Sequence, residues 1–151
     1  MYVGYPSSDF PGPPGVILPL PEGWEGLHIP DVALAIRGPN AEGFAANVVV
    51  RIHKHVDHSS EELFELLTEP TKSIELSRTE MFGHTPPGIY RKLPGRAGEQ
   101  DIEQQHLLVI PYSEPEAIRY AVSIVGSSRV DDPVQGETVA EILRGSKVGS
   151  G

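Results

Sequence analysis

Three closely spaced histidines, His53, His55 and His58, are the first residues of this chain that could do chemistry. Imidazole nitrogens are common ligands of zinc and other transition metals. On a β-strand, His53 and His55 would share one face, and His58 could turn back toward them. Spacing alone is a weak signal, and a solvent-facing strand end with several histidines is the more ordinary interpretation. A His-based metal-binding module therefore remains one hypothesis, while we expect no resident metal and no other cofactor.

A second set combines His106 with the carboxylates of Asp101 and Glu103. A histidine and a carboxylate can share general acid–base work in a hydrolase-type enzyme. His106 lies on the apolar face of its predicted strand, where a hydrogen-bonded core histidine is the usual case. Asp101 and Glu103 would share the other face and could pair with Arg91 or Arg119 on neighbouring strands. The structural interpretation is favoured, so we predict no catalytic residues and no enzymatic activity.

Composition excludes several other classes of function. The chain has 151 residues and no cysteine, which rules out disulfides, thiol catalysis and Cys-anchored lipids. A formal net charge of -9 argues against binding to nucleic acid, which needs lysine and arginine to neutralise phosphates. No stretch approaches the ~20 apolar residues of a membrane span, and the first residues do not resemble a signal peptide. The sequence predicts a soluble, cytoplasmic protein, with export by another route left open.

The elements that would position these residues are mostly strands. The strongest strand prediction is 47–55, whose β-branched residues alternate between two faces. Ser59 and Glu62 have the spacing of a capping box and predict a helix of about three turns. A second helix is predicted to begin at Asp132-Pro133 and to be capped by Gly145. The other predicted strands are 16–20, 32–36, 73–82, 87–93, 101–110 and 117–126.

The order of these elements predicts the fold class. Turns between the last four strands are too short for parallel crossovers, so these strands should form an antiparallel meander. Strands, a helix, the meander and a final helix give an α+β fold in one domain. We predict a Pro- and Gly-rich flexible arm at residues 1–15, the domain at 16–148 and a loose tail at 149–151. Trp24, the only tryptophan, follows the turn signal Pro-Glu-Gly and is predicted to anchor the core or a strand edge.

Three segments together resemble the LpqN/LpqT family of actinobacterial proteins, which have the PsbP-like fold. They are the Leu-Pro…Pro-Glu-Gly-Trp start at 18–24, the strand entered through Asn at 43–50, and the last strand 120–126 followed by the helix and tail 136–148. The resemblance implies an α/β/α sandwich with a central, mostly antiparallel sheet flanked by helices. It carries no shared catalytic residues. The sequence has no cysteine for the family's lipobox, and we predict no signal peptide.

Members of that fold act mainly as binding or accessory proteins. They include lipoproteins tied to cell-envelope lipid processes, a photosystem extrinsic subunit and a regulator that binds a nuclear-transport GTPase. The resemblance therefore implies a non-enzymatic binding or accessory domain whose ligand is a protein partner or an apolar, lipid-like molecule held between sheet and helix. The short first strand, which contains Pro19, could cover a sheet edge or recruit a second copy in a homodimer.

Overall fold

The computed structural model describes residues 15–39, 44–55, 78–80, 88–109 and 119–149. Within these ranges the chain forms nine β-strands and one α-helix, which is an α+β fold. The elements in chain order are β1 Gly15–Ile17, β2 Glu25–Leu27, β3 Leu34–Arg37, β4 Asn47–His55, β5 Arg78–Glu80, β6 Gly88–Ala97, β7 Gln100–Val109, β8 Arg119–Arg129, α1 Pro133–Gly145 and β9 Lys147–Gly149.

Seven strands form one sheet in the order β2-β3-β4-β8-β7-β6-β5, and every neighbouring pair is antiparallel. The strands β5 to β8 are consecutive in sequence and adjacent in the sheet, so the predicted meander is confirmed. β1 and β9 form a separate two-stranded antiparallel sheet in which Gly15 lies opposite Gly149. Gly15, the last residue of the predicted arm, begins β1. Residues 1–14 lie outside the described ranges, so the arm and the domain bounds stay predictions.

One face of the large sheet is covered by α1, and we call it the helical face. Gly126 of β8 lies so close to the helix that a Cβ atom added there would be 2.2 Å from a methyl group of Val139. Strand alternation and register then place the even-numbered residues of β4 and β8 on this face. Val50, Ile124 and Leu107 on this face are buried, and Ile142 of α1 packs into the same hydrophobic core.

The helix begins and ends at defined signals. The Asp132 carboxylate accepts a hydrogen bond from the Gln135 N–H at 3.2 Å, which satisfies one of the free donors of the first turn. Pro133 occupies the first turn, where a missing N–H costs nothing. The predicted start is therefore confirmed. The predicted cap is wrong by one residue, because Gly145 is the last helical residue and Ser146 caps the helix with its hydroxyl on the Leu143 carbonyl.

The other side of the sheet, which we call the opposite face, carries both apolar and polar side chains. Ile102, Leu108 and Leu93 on this face are buried. His106 and Gln104 lie among them by strand alternation. The helix predicted from Ser59 lies outside the described residues.

Trp24 occupies the position that the sequence predicts for it. The backbone N–H of Trp24 donates to the Pro21 carbonyl at 3.0 Å and closes a tight turn. Gly23 is the third residue of this turn, and its φ of 83° is a conformation that favours glycine. The indole is 7% exposed and packs against the backbone of Gly38. Trp24 is therefore a core anchor, and the turn at residues 21–24 delivers it into the core just before β2.

Candidate functional site

His106 lies near the middle of the opposite face, in a chain of polar side chains. Its Nε2 atom is 3.1 Å from the Oε1 atom of Gln104. The Gln104 amide nitrogen in turn donates to the Ser127 hydroxyl at 3.2 Å. Because the Gln104 oxygen can only accept, Nε2 of His106 carries the proton in this arrangement. The three side chains therefore form one hydrogen-bonded row across β7 and β8.

Burial controls the charge of His106. The residue is 5% exposed, and desolvation lowers its pKa from 6.5 to about 4. The imidazole is therefore neutral at pH 7 and already donates a hydrogen bond within the protein. This is the behaviour of a core histidine, as the structural interpretation of the sequence predicts.

The acid–base alternative, which combines His106 with Asp101 or Glu103, is not supported by the positions of these residues. On β7 an odd number of positions separates His106 from Asp101 and also from Glu103, so strand alternation places the histidine and the two carboxylates on opposite faces of the sheet. Asp101 instead meets Arg96 at 3.5 Å, with both side chains exposed. Arg91 was one predicted partner of these carboxylates, but it lies opposite His106 on the other face. These residues cannot assemble a single acid–base site.

The metal-binding hypothesis rests on residues that the structure describes only in part. His53 and His55 both belong to β4, and strand alternation places them on the same face. The side chain of His55 and the whole of His58 lie outside the described part of the chain. Within the described ranges, no group of three His, Asp or Glu side chains could hold a metal ion. The three-histidine site stays a prediction.

Two adjoining clefts open where β8 ends and α1 begins. The first, which we call the acidic cleft, has a volume of about 310 Å³ and is lined by Glu99, Gln100, Asp101, Arg129, Val130 and Asp131. The second, the helix cleft, has a volume of about 230 Å³ and lies between α1 and strands β6 to β8. Its charged lining residues are Lys92, Glu103, Arg129, Asp132, Glu137 and Arg144.

A buried hydrogen-bond network fixes α1 above the helix cleft. The Tyr90 hydroxyl donates to the Gln105 side-chain oxygen at 2.8 Å, and the Gln105 amide nitrogen donates to the Gly136 carbonyl of α1 at 2.9 Å. Tyr90 and Gln105 are both fully buried. Buried polar groups that are satisfied in this way specify one arrangement of the elements they join. The network ties β6 and β7 to the first turns of the helix.

The clefts were not predicted from the sequence. The segment around Asp132 was interpreted only as a helix start, and Glu99 was given no role. The available signal was the acidic character of two separate segments, the turn between β6 and β7 and the loop between β8 and α1. Only the folded sheet brings these two segments together, through a hydrogen bond from the Val130 N–H to the Asp101 carbonyl at 3.0 Å.

Together, the antiparallel sheet, the single described helix and the open polar clefts define an α+β domain in which the sheet separates His106 from Asp101 and Glu103. A solved structure with the same fold is that of LpqN, a protein involved in cell envelope biogenesis of Mycobacterium tuberculosis. The two share 14% sequence identity over 92% of this chain and 86% of that one, with a TM-score of 0.70. The likeness establishes an LpqN-like fold.

Comparisons of sequence add no further relative. No protein-family model matches the chain, and no curated protein matches it. Within the described ranges, no helix combines the length and apolarity needed to cross a membrane.

Proposed function

We propose that this chain is a non-enzymatic accessory domain that binds a protein partner in a cell-envelope process, and that it is a relative of the LpqN/LpqT proteins with the PsbP-like fold. The observation that carries the proposal is the structural likeness to LpqN across 92% of the chain. The involvement of LpqN in cell envelope biogenesis suggests the process. The cytoplasmic location predicted from the sequence is a separate proposal.

The described residues support a binding role over a catalytic one. The buried, neutral His106 is separated by the sheet from Asp101 and Glu103, so the acid–base alternative loses its geometry. Enzymes place titratable groups together in one pocket and tune their pKa values against each other. The two clefts at the β8–α1 junction are open and lined by charged groups that are partly or fully exposed, which suits the rim of a protein interface.

A protein partner also fits better than an apolar ligand between α1 and the sheet. Val139, Ile142 and Leu143 of the helix are completely buried against the helical face. The approach of Val139 to Gly126 is too close to admit even one added carbon atom. Lipid-like ligands need concave, mostly apolar sites, whereas the described clefts are open and lined by charged groups.

The proposal is tested with the full chain as bait in extracts of its native source. We expect one envelope-associated protein to be enriched, and the purified pair to form a complex of defined stoichiometry. An unrelated folded protein of similar size and net charge, used as bait in the same way, controls for nonspecific capture. Failure of the folded chain to enrich any protein above this control would refute the binding role.

The enzymatic alternative is tested separately. A panel of esters, phosphoesters and glycosides is incubated with the protein and with its His106→Gln and His53→Gln variants. We expect turnover at the level of buffer alone for all three proteins. Turnover that disappears only in His106→Gln would show that the non-enzymatic assignment is wrong.

A further inference from the structure

We propose that the acidic cleft and the adjoining side chain of Val130 dock a basic segment of the partner protein, one that carries lysine or arginine next to an apolar residue. The inference rests on the proposed function, because it names the surface and the partner chemistry of the same binding role. Arg129 and Val130 line both clefts, so these two residues form the ridge between the acidic cleft and the helix cleft.

The backbone of this ridge is held from both sides. The Val130 N–H donates to the Asp101 carbonyl at 3.0 Å, and the Asp132 N–H donates to the Arg129 carbonyl at 3.1 Å. The Nε atom of Arg129 lies 2.8 Å from the Asp131 carboxylate, and the Arg129 side chain is only 12% exposed. A surface that is already ordered loses little conformational entropy when a partner binds.

Val130 supplies an apolar contact at the centre of this surface. Val130 is 58% exposed, although it directly follows β8, in which Ser127 and Ser128 are buried. Pro133, also exposed, extends the apolar surface toward the helix cleft. Single exposed apolar residues are common on proteins. Here the residue stands between two clefts with charged walls, which is the pattern of an apolar interface centre with a polar rim.

The charges of the acidic cleft select a basic occupant. Glu99, Asp101 and Asp131 line it against one base, Arg129, which is already paired with Asp131. Arg96 also contacts this wall: its Nη2 donates to the Glu99 backbone carbonyl at 3.2 Å, and its Nε lies 3.5 Å from the Asp101 carboxylate. The ion pair is long and solvent-exposed, so a partner's cation can replace it at little cost. Guanidinium and ammonium groups form charge-assisted hydrogen bonds with such carboxylates.

Two further observations narrow the class of partner. The described residues contain no cluster that could hold a metal ion, so the carboxylates of the cleft are not arranged as metal ligands. The net charge of -9 attracts a basic segment over long distances and repels an acidic one. The helix cleft is lined by equal numbers of acidic and basic residues, so it does not select the sign of the partner's charge.

A random 12-residue peptide library displayed on phage, selected against the full chain, supplies the probe. We expect selected peptides to combine lysine or arginine with an adjacent apolar residue. The consensus peptide, labelled with fluorescein, is then titrated by fluorescence anisotropy. The cleft variant Glu99→Gln/Asp101→Asn should bind it about 10-fold or more weakly. Val130→Ser, which changes no charge, should bind it about 3-fold or more weakly.

The matched control separates a specific site from general charge attraction. Glu22→Gln/Glu141→Gln removes two exposed carboxylates that line neither cleft and gives the same net charge as the cleft variant. We expect this control to bind within about twofold of the unaltered protein. Equal losses in both double variants, or selected peptides without basic residues, would overturn the proposal.

A second measurement distinguishes failure of this inference from failure of the proposed function. The cleft variant and its matched control are both used as bait beside the unaltered chain. A partner captured by the unaltered chain and the control but lost from the cleft variant supports the surface. A partner retained by all three leaves the binding role intact and shows that the surface is elsewhere. Capture by none refutes the binding role itself.

Discussion

The protein should lose stability in mild acid, and replacing His106 by glutamine should prevent a large part of that loss. His106 is 5% exposed, and desolvation holds its pKa at about 4 in the folded chain. Glutamine is an uncharged side chain that can donate a hydrogen bond, so it can retain the contact with Gln104 without titrating. The unfolded chain leaves the imidazole in water with its ordinary pKa near 6.5.

The sign of the effect follows from where the protons bind. Between the two pKa values the unfolded chain binds a proton at His106 and the folded chain does not, so acid favours unfolding. The stability is fully present above pH 6.5 and is lost as the pH falls toward 4. The two pKa values give a loss of about 2 kcal/mol between pH 7.5 and pH 5, rising to roughly 3 kcal/mol below pH 4.

Urea denaturation followed by the fluorescence of Trp24, the only tryptophan, measures this loss. The free energy of unfolding of the unaltered protein should fall by about 2 kcal/mol more than that of His106→Gln between pH 7.5 and pH 5. Titrating carboxylates affect both proteins and cancel in the comparison. Parallel pH curves for the two proteins, or an NMR titration of His106 near pH 6.5, would refute the argument that burial keeps this histidine neutral.

Three other predictions concern packing and metal binding. In urea denaturation, Gly126→Ala should destabilise the protein by about 1–3 kcal/mol, because the added Cβ would lie 2.2 Å from a methyl group of Val139. The control Gly26→Ala adds a Cβ that meets no atom within 4 Å, so it should cost no more than about 0.5 kcal/mol. Trp24→Ala should cost ~3–5 kcal/mol, measured by circular dichroism since the fluorophore is gone; a cost under 1 kcal/mol would contradict its role as a core anchor. If the three-histidine hypothesis is right, elemental analysis should find one zinc per chain and zinc should raise the melting temperature, with both effects lost in His53→Ala; a chain without zinc and without a thermal shift removes that hypothesis.

The meander and the helix α1 were predictable because local rules determine them. Short turns exclude parallel crossovers, and the Asp132-Pro133 start uses a side-chain cap that needs no tertiary partner. β2 and β9 were missed because three residues are too few to show a hydrophobic period. The strand predicted at 87–93 ends too early, because β6 continues to Ala97 and the turn is formed by Gly98 and Glu99.

β6 also contains a proline, which usually indicates the end of a strand or a sheet edge. Pro94 lies inside β6, opposite Glu103 of β7. A proline cannot donate a hydrogen bond to a neighbouring strand, so it belongs at an edge. The described part of β5 pairs only with Tyr90–Lys92, so Pro94 lies beyond the stretch of β6 that this strand covers. Where one strand ends relative to its neighbour is decided by the folded sheet, and no local pattern contains it.

The candidate site also combines a feature that the sequence could predict with features that depend on tertiary structure. The odd spacing between His106 and the carboxylates already places them on opposite faces, so the sequence alone contained the argument against an acid–base pair. The Tyr90–Gln105–Gly136 network could not be predicted, since it joins three elements through side chains with no characteristic spacing. The acidic cleft is also a product of tertiary structure, because it forms only when a hairpin turn meets the end of β8.

The pairing of β1 with β9 determines how the domain can be attached to anything else. Gly15 and Gly149 face each other across this small sheet, where opposed Cα atoms are about 5 Å apart. Chain added before residue 15 and chain added after residue 149 therefore leave the domain at one point. The domain can therefore be inserted into a surface loop of another protein, with its two connecting segments side by side. Residues 15 and 149 can also be joined by a short glycine linker to give a circular permutant.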